Sequence, residues 1–255
     1  MKWLRRWFCS LPAAPIDAAL WHMQLARIVG AQDLSLEQQR RWHALVERFL
    51  ADKIFSPVDG CVLEPADRLL IAMLCCQPVL DLGYDWLRGW REIVVYPGAF
   101  GMRRQHLDED SGLLHEWDDV LVGECWERGP LILSLEDVLQ AALQPTSGYH
   151  VVVHEIAHKL DLLDGRLDGV PPLRDATWRQ RWIRDFQHTF DQLCGTLEAG
   201  GDALIDPYAA TAPDEFFAVC SEYHFTDPGL LAEAMPAVAM HLARFYHPER
   251  FTAPG

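Results

Sequence analysis

His154-Glu155-Ile156-Ala157-His158 lies inside the longer run Tyr149 to Leu163, and the way that run folds decides how the rest of the chain is read. Val151-Val152-Val153 suits a strand by propensity. Length argues the other way. The run is too long for one strand, and a buried helix carries β-branched residues at a small cost per position. On a helix, positions i and i+4 share a face, so His154 and His158 offer two imidazoles to one metal ion. Glu155, one position on, can sit beside a water on that ion without being a ligand. Two neutral nitrogen donors, one carboxylate base and a missing third ligand describe a zinc hydrolase site. The plainer alternative is a helix whose histidines are ordinary polar groups, so the rest of the chain must supply the third ligand.

Of the 255 residues, 50% are apolar and 10 are Trp, enough for a substantial core. The 22 basic residues stand against 37 acidic ones, a net charge of −15. That balance argues against direct nucleic-acid binding, which rewards clustered Lys and Arg. The seven cysteines, Cys9, Cys61, Cys75, Cys76, Cys125, Cys194 and Cys220, are odd in number and form no C-x-x-C pair. Cys75-Cys76, adjacent in an apolar run, reads as core packing; the set is no disulfide framework and suits a reducing cytosol, so a cytoplasmic location is expected. The basic, aromatic start from Met1 to Cys9 is cut short by Pro12 and Pro15 before any signal-like apolar stretch, and reads as a disordered or docking terminus. No run of 18 apolar residues exists, so no membrane span is expected.

Upstream, Ser35-Leu36-Glu37-Gln38 is a capping box ahead of Trp42, Leu45, Val46 and Phe49, predicting a helix over 36–53. A second helix is expected over 66–76. Strands are expected over 91–96, 120–123 and 130–133, with Ser134 capping a short helix to Ala142. Downstream the chain reads as helical. Trp178, Trp182, Phe186 and Phe190 recur at spacing four in a helix over 176–197, followed by a loop from Gly195 to Gly201. Thr211 looks like the N-cap of a helix ending near Phe225, with Pro213 in its first turn. A last helix is expected over 230–246.

The third ligand must come from this half. Asp161 is so close to His158 on one helix that it cannot easily reach the third tetrahedral corner. Accepting a hydrogen bond from a ligand imidazole, or tying down a loop, suits it better. Glu215, in the first turn of its helix, is the favoured ligand; Glu222, seven residues on, stands as an alternative ligand or as a supporting group. His150 extends the histidine stripe and is expected exposed or lining the cleft. His188, His224, His241 and His247 show no ligand spacing. Tyr208, seven residues before Glu215, can donate a hydrogen bond to an oxyanion, although a loop tyrosine packing its ring is the simpler reading in isolation.

HEIAHKLD, then Asp164-Gly165 through Gly169-Val170-Pro171, then DPYAATAPDEFFAVCSEYHF resemble the Mlc titration factor A family, zinc-dependent peptidases of the gluzincin kind. The likeness extends upstream to 77–83 with Trp86-Leu87 and to Val95-Tyr96-Pro97, so it covers most of the chain. It implies one zinc ion per chain held by His154, His158 and Glu215, with Glu155 as general base and Tyr208 as transition-state tyrosine. It also implies a catalytic core similar to the anthrax lethal factor peptidase domain, and aminopeptidase activity on small chromogenic substrates. Some members of such a family bind the glucose repressor Mlc. A regulatory protein that sequesters a transcription repressor is therefore the alternative to a peptidase acting on peptide substrates. The expected architecture is α+β: a zincin-like metallopeptidase core with a small mixed sheet and predominantly helical N- and C-terminal parts. Residues 1–85 are read as a mainly helical region and 86–255 as the catalytic region, packed as one compact unit.

Overall fold

Ser35 starts the first long helix. Its Oγ accepts from the Gln38 N–H at 3.3 Å, and Gln38 Oε1 accepts from the Ser35 N–H at 3.0 Å. That reciprocal cap satisfies two donors otherwise stranded at the head of the helix. The computed structural model describes residues 15–98, 129–143 and 146–251. Among them the helix runs over Leu36–Asp52 (α2), preceded by a short helix over Ala18–Leu25 (α1) and followed by Pro65–Cys76 (α3). α2 and α3 pack together, and Trp42 Nε1 donates to the Met73 carbonyl at 3.0 Å across their interface. α1 was not anticipated. Its Asp17 cap accepts from the Leu20 N–H at 2.9 Å, and it buries Trp21, Gln24 and Leu25.

Three short strands form one sheet in the order β1-β2-β3: Ile54–Pro57 (β1), Glu92–Tyr96 (β2) and Leu131–Ser134 (β3). Both pairings are parallel, with Ile54 opposite Glu92 and Ile93 opposite Leu131. A mixed sheet was expected, and the described pairings are parallel throughout. The reason lies in the connections. Parallel neighbours need a crossover, and α3 with the turn Tyr84–Leu87 supplies one between β1 and β2. β1 itself escaped the sequence reading, being a four-residue edge strand that ends in proline. The strand expected over 120–123 and the N-terminal residues 1–14 lie outside the described residues.

Ser134 Oγ accepts from the Asp137 N–H at 3.2 Å and starts Leu135–Leu143 (α4). Then comes the helix that carries both histidines, Val151–Asp161 (α5). Val152, Val153, Ile156, Ala157, Leu160 and Asp161 are buried along one stripe of it, and His154, Glu155, His158 and Lys159 are half-buried along the adjacent one. α5 packs against α3, α4 and β3 on its apolar side. The full burial of Val152 and Val153 explains why these β-branched residues are tolerated in this helix.

The C-terminal half is helical: Ala176–Glu198 (α6), Pro213–Thr226 (α7), Pro228–Ala234 (α8) and Pro236–Tyr246 (α9). α6 carries straight through Gly195, so the expected loop begins later, with Gly200 at φ 74°. Where one final helix was expected there are two. Asp227, Met235 and His247 each precede a proline, and each is forced out of helical geometry to φ between −149° and −128° and ψ between 61° and 71°. Trp182 is fully buried and stacks on Phe186 with ring centroids 4.2 Å apart, between α7 and α9. One hydrophobic core joins residues from Trp21 to Tyr246. No helix among the described residues is long and apolar enough to cross a membrane.

Candidate metal centre

His154 and His158 turn their Nε2 atoms towards each other, 3.1 Å apart. Glu215 Oε2, from the first turn of α7, lies 3.1 Å from His154 Nε2 and 3.5 Å from His158 Nε2. Among the described residues, Glu215 Oε2 is buried without a well-formed hydrogen bond. A tetrahedral ion with bonds of about 2.0–2.1 Å has donor–donor edges of about 3.3 Å, so the three atoms already stand at the spacing such an ion needs. They are the group of metal-ligating side chains found among the described residues. The sequence-expected trio is thus brought together in space.

Several contacts bring α7 to α5. Gly169 donates its N–H to Asp161 Oδ2 at 2.7 Å, and its carbonyl accepts from Trp182 Nε1 at 2.9 Å. Its φ is 76°, and a Cβ there would come within 2.5 Å of the Pro213 carbonyl. The loop after α5 is therefore pressed against the head of α7, two residues before Glu215. Asp161 ties down that loop and does not join the ligand atoms. At the other end, the Gly148 N–H donates to Thr226 Oγ1 at 2.8 Å and Ser147 Oγ to Asp227 Oδ2 at 2.9 Å. The N-cap of α7 is Ala212 rather than the expected Thr211, whose hydroxyl instead donates to the Tyr208 carbonyl at 2.8 Å.

Glu222 is fully buried behind the site. Its Oε1 accepts from His154 Nδ1 at 2.8 Å and its Oε2 from the His150 N–H, so it supports a histidine from the side away from Glu215. His150, expected near the helix start and either exposed or lining the cleft, is the N-cap and is buried. Its Nδ1 accepts from the Val153 N–H at 3.3 Å and caps α5, and burial lowers its pKa to about 4. Burial also opposes charge on His154, but the carboxylates of Glu215 and Glu222 beside it win and hold its pKa up to about 10. Glu215, although desolvated, is held well below the usual carboxylate range by the two imidazoles. A metal binding at these nitrogens would displace the proton that the raised pKa favours on His154.

Tyr208 sits in the turn Pro207–Ala210, its ring centroid 6.2 Å from that of His154. Asp206 Oδ1 accepts from the Tyr208 N–H at 2.9 Å, and the Asp206 N–H donates to the Tyr223 hydroxyl at 3.1 Å. Glu155 is half-buried beside His154 on α5. His241 and His247 are engaged elsewhere: His241 bonds Trp178 and Asp185, both at 2.9 Å, and His247 pairs with Asp81 at 2.9 Å. Sequence reasoning missed Asp214, whose Oδ2 lies 4.0 Å from His158 Nδ1. Asking what the second nitrogen of each imidazole faces would have singled it out.

An α+β chain with a zincin-like core and two helix-borne histidines facing a glutamate from a later helix has the build of a metallopeptidase. The sequence model of the glucose-regulated metallo-peptidase M90 family matches residues 1–247, and the chain belongs to that family. It is 37% identical over 251 residues to Mlc titration factor A of Yersinia pestis (strain Pestoides F), an overlap covering 96% of this chain and 89% of the relative. Mlc titration factor A of Yersinia pseudotuberculosis serotype O:3 (strain YPIII) matches to the same extent, 37% over 251 residues. The resemblance read from the motifs is borne out.

Proposed function

We propose that this metallopeptidase is a zinc-dependent, aminopeptidase-like enzyme with one zinc ion held by His154, His158 and Glu215. The observation that carries this reading is the convergence of three ligand atoms within 4.8 Å of one another. Two nitrogens and one carboxylate oxygen suit zinc better than the all-oxygen sets favoured by calcium or magnesium. Three protein ligands leave a coordination position open, which favours a catalytic role over a structural one.

Bound zinc would lower the pKa of a water towards 7 and polarise the scissile carbonyl. Glu155 would serve as the general base, holding the proton of the attacking water and passing it to the departing amine. The Tyr208 hydroxyl donates a hydrogen bond to the oxygen on which charge develops. Glu222 keeps His154 in the tautomer whose Nε2 is free for the ion. Free cysteines, with Cys75, Cys76 and Cys220 fully buried, suit a reducing compartment, and we assign the protein to the cytoplasm.

The test is zinc content measured beside a panel of aminoacyl chromogenic substrates, with and without chelator. Hydrolysis that needs zinc, and that Glu155→Gln abolishes while zinc stays bound, supports the reading. Wild-type rates in zinc-loaded Glu155→Gln would remove Glu155 as the base. A second reading follows from the name shared by the relatives, Mlc titration factor A. In it the protein binds a transcription repressor of the Mlc type and peptidase activity is secondary. A pull-down with the double variant His154→Ala/His158→Ala separates the two: retained repressor capture marks a binding face independent of the metal.

A further inference from the structure

Each ligand imidazole has a second nitrogen, and the two are treated differently. His154 Nδ1 donates to Glu222 Oε1 at 2.8 Å. His158 Nδ1 is buried and has no hydrogen-bond partner among the described residues. Asp214 Oδ2 stands 4.0 Å from it. The Asp214 side chain is 17% exposed and that of His158 19%, so both are largely sheltered from solvent. An unsatisfied buried ring nitrogen is costly, and an imidazole that ligates a metal through Nε2 carries its proton on Nδ1. A carboxylate needs to close by only about 1 Å to accept that proton in a normal hydrogen bond. Asp214 precedes Glu215, so the same turn of α7 that presents the third carboxylate also brings this one to the back of His158.

We propose that Asp214 is the positioning residue of His158: it fixes the imidazole in the tautomer and orientation that bind the ion, as Glu222 does for His154. This rests on the reading of His154, His158 and Glu215 as zinc ligands. A carboxylate in the first turn of a helix is also favoured by the helix dipole alone. The experiment must therefore separate the two roles.

The zinc dissociation constant is measured by chelator competition on the intact chain for wild type and for Asp214→Ala, Asp214→Asn and Asp214→Glu. The unfolding temperature of each metal-free protein is measured alongside. Asp214→Ala is expected to bind zinc roughly 10- to 100-fold more weakly, the range found when such outer partners are lost. Asp214→Asn, which still accepts a hydrogen bond but has lost the charge, should fall between. Asp214→Glu should recover most of the affinity, because its carboxylate reaches further. A dipole role alone predicts lower metal-free unfolding temperatures with zinc affinity unchanged. Wild-type zinc affinity in Asp214→Ala overturns the assignment, as does a loss that Asp214→Glu fails to recover at all. Failure of the wild-type protein itself to bind zinc would overturn the metal-centre reading instead.

Discussion

Glu215 decides the ligand set at the scale of single residues. Glu215→Ala should lower zinc content after dialysis against trace metal; full occupancy would shift the third ligand elsewhere. Tyr208→Phe should reduce turnover by about 100- to 1,000-fold, as loss of one oxyanion donor does, with zinc content nearly unchanged. Unchanged turnover would return Tyr208 to a packing role. His154 makes a prediction about pH. Its pKa in the metal-free fold is about 10 against an ordinary value of 6.5: burial lowers it, and the carboxylates of Glu215 and Glu222 outweigh burial. A group raised on folding stabilises fully below its unfolded pKa and loses that contribution as pH rises through the folded one. Chelated wild-type protein should therefore lose stability between pH 6.5 and about 10, and His154→Asn should lack that component. Parallel stability–pH curves for the two would disprove the shift. His154, His158 and Glu215 were readable as candidate ligands from spacing and resemblance because helical periodicity is local. Asp214 was not, since its distance to His158 depends on how two helices dock.

Gly169 carries the argument at the scale of elements. It shares φ 76° with Gly60, but a Cβ on Gly169 would lie 2.5 Å from the Pro213 carbonyl whereas one on Gly60 meets nothing within 4 Å. Both Gly→Ala changes incur the backbone cost of positive φ, about 1 kcal/mol or somewhat more. Gly169→Ala should cost about 1–3 kcal/mol beyond that, and should weaken zinc binding by displacing the head of α7. Denaturant melts and chelator competition on the two variants provide the comparison; equal losses would mean that the loop yields easily. Caps and prolines made α2, α3, α6 and α7 legible within a few residues. The parallel register of the sheet was not legible, because strand partners are set by crossovers and not by the strands' own sequences. The break at Met235 was available in principle, since a residue before proline resists the helical region. It was obscured by the apolar periodicity running across it.

At the scale of the whole molecule, a metal that binds only the folded state adds stability by mass action. Zinc at about 100 times its dissociation constant should contribute about 2.7 kcal/mol, seen as a raised unfolding temperature that chelator reverses. The core places a second constraint. Trp182 is fully buried among Phe186, Phe217 and Phe245 and also donates to Gly169. Trp182→Ala should cost about 3–5 kcal/mol and should also loosen the loop beneath the site. A loss confined to stability, with zinc affinity intact, would uncouple that core from the metal centre. The aromatic stripe of α6 was visible in the sequence as core. Its link through Gly169 to the head of α7 appears only in the fold.

α5 and α7 are fastened at both ends, by Gly148 against Thr226 at one and by the Asp161–Gly169–Pro213 contacts at the other. The consequence is discrimination among ions. A bracket held at both ends cannot easily spread to admit extra donors. Calcium, which takes about six to eight oxygens at longer bonds, meets two nitrogens and one carboxylate oxygen at a fixed, tight spacing. On the proposed zinc reading, the frame that spaces the helices would favour small ions that accept few ligands, before any substrate arrives.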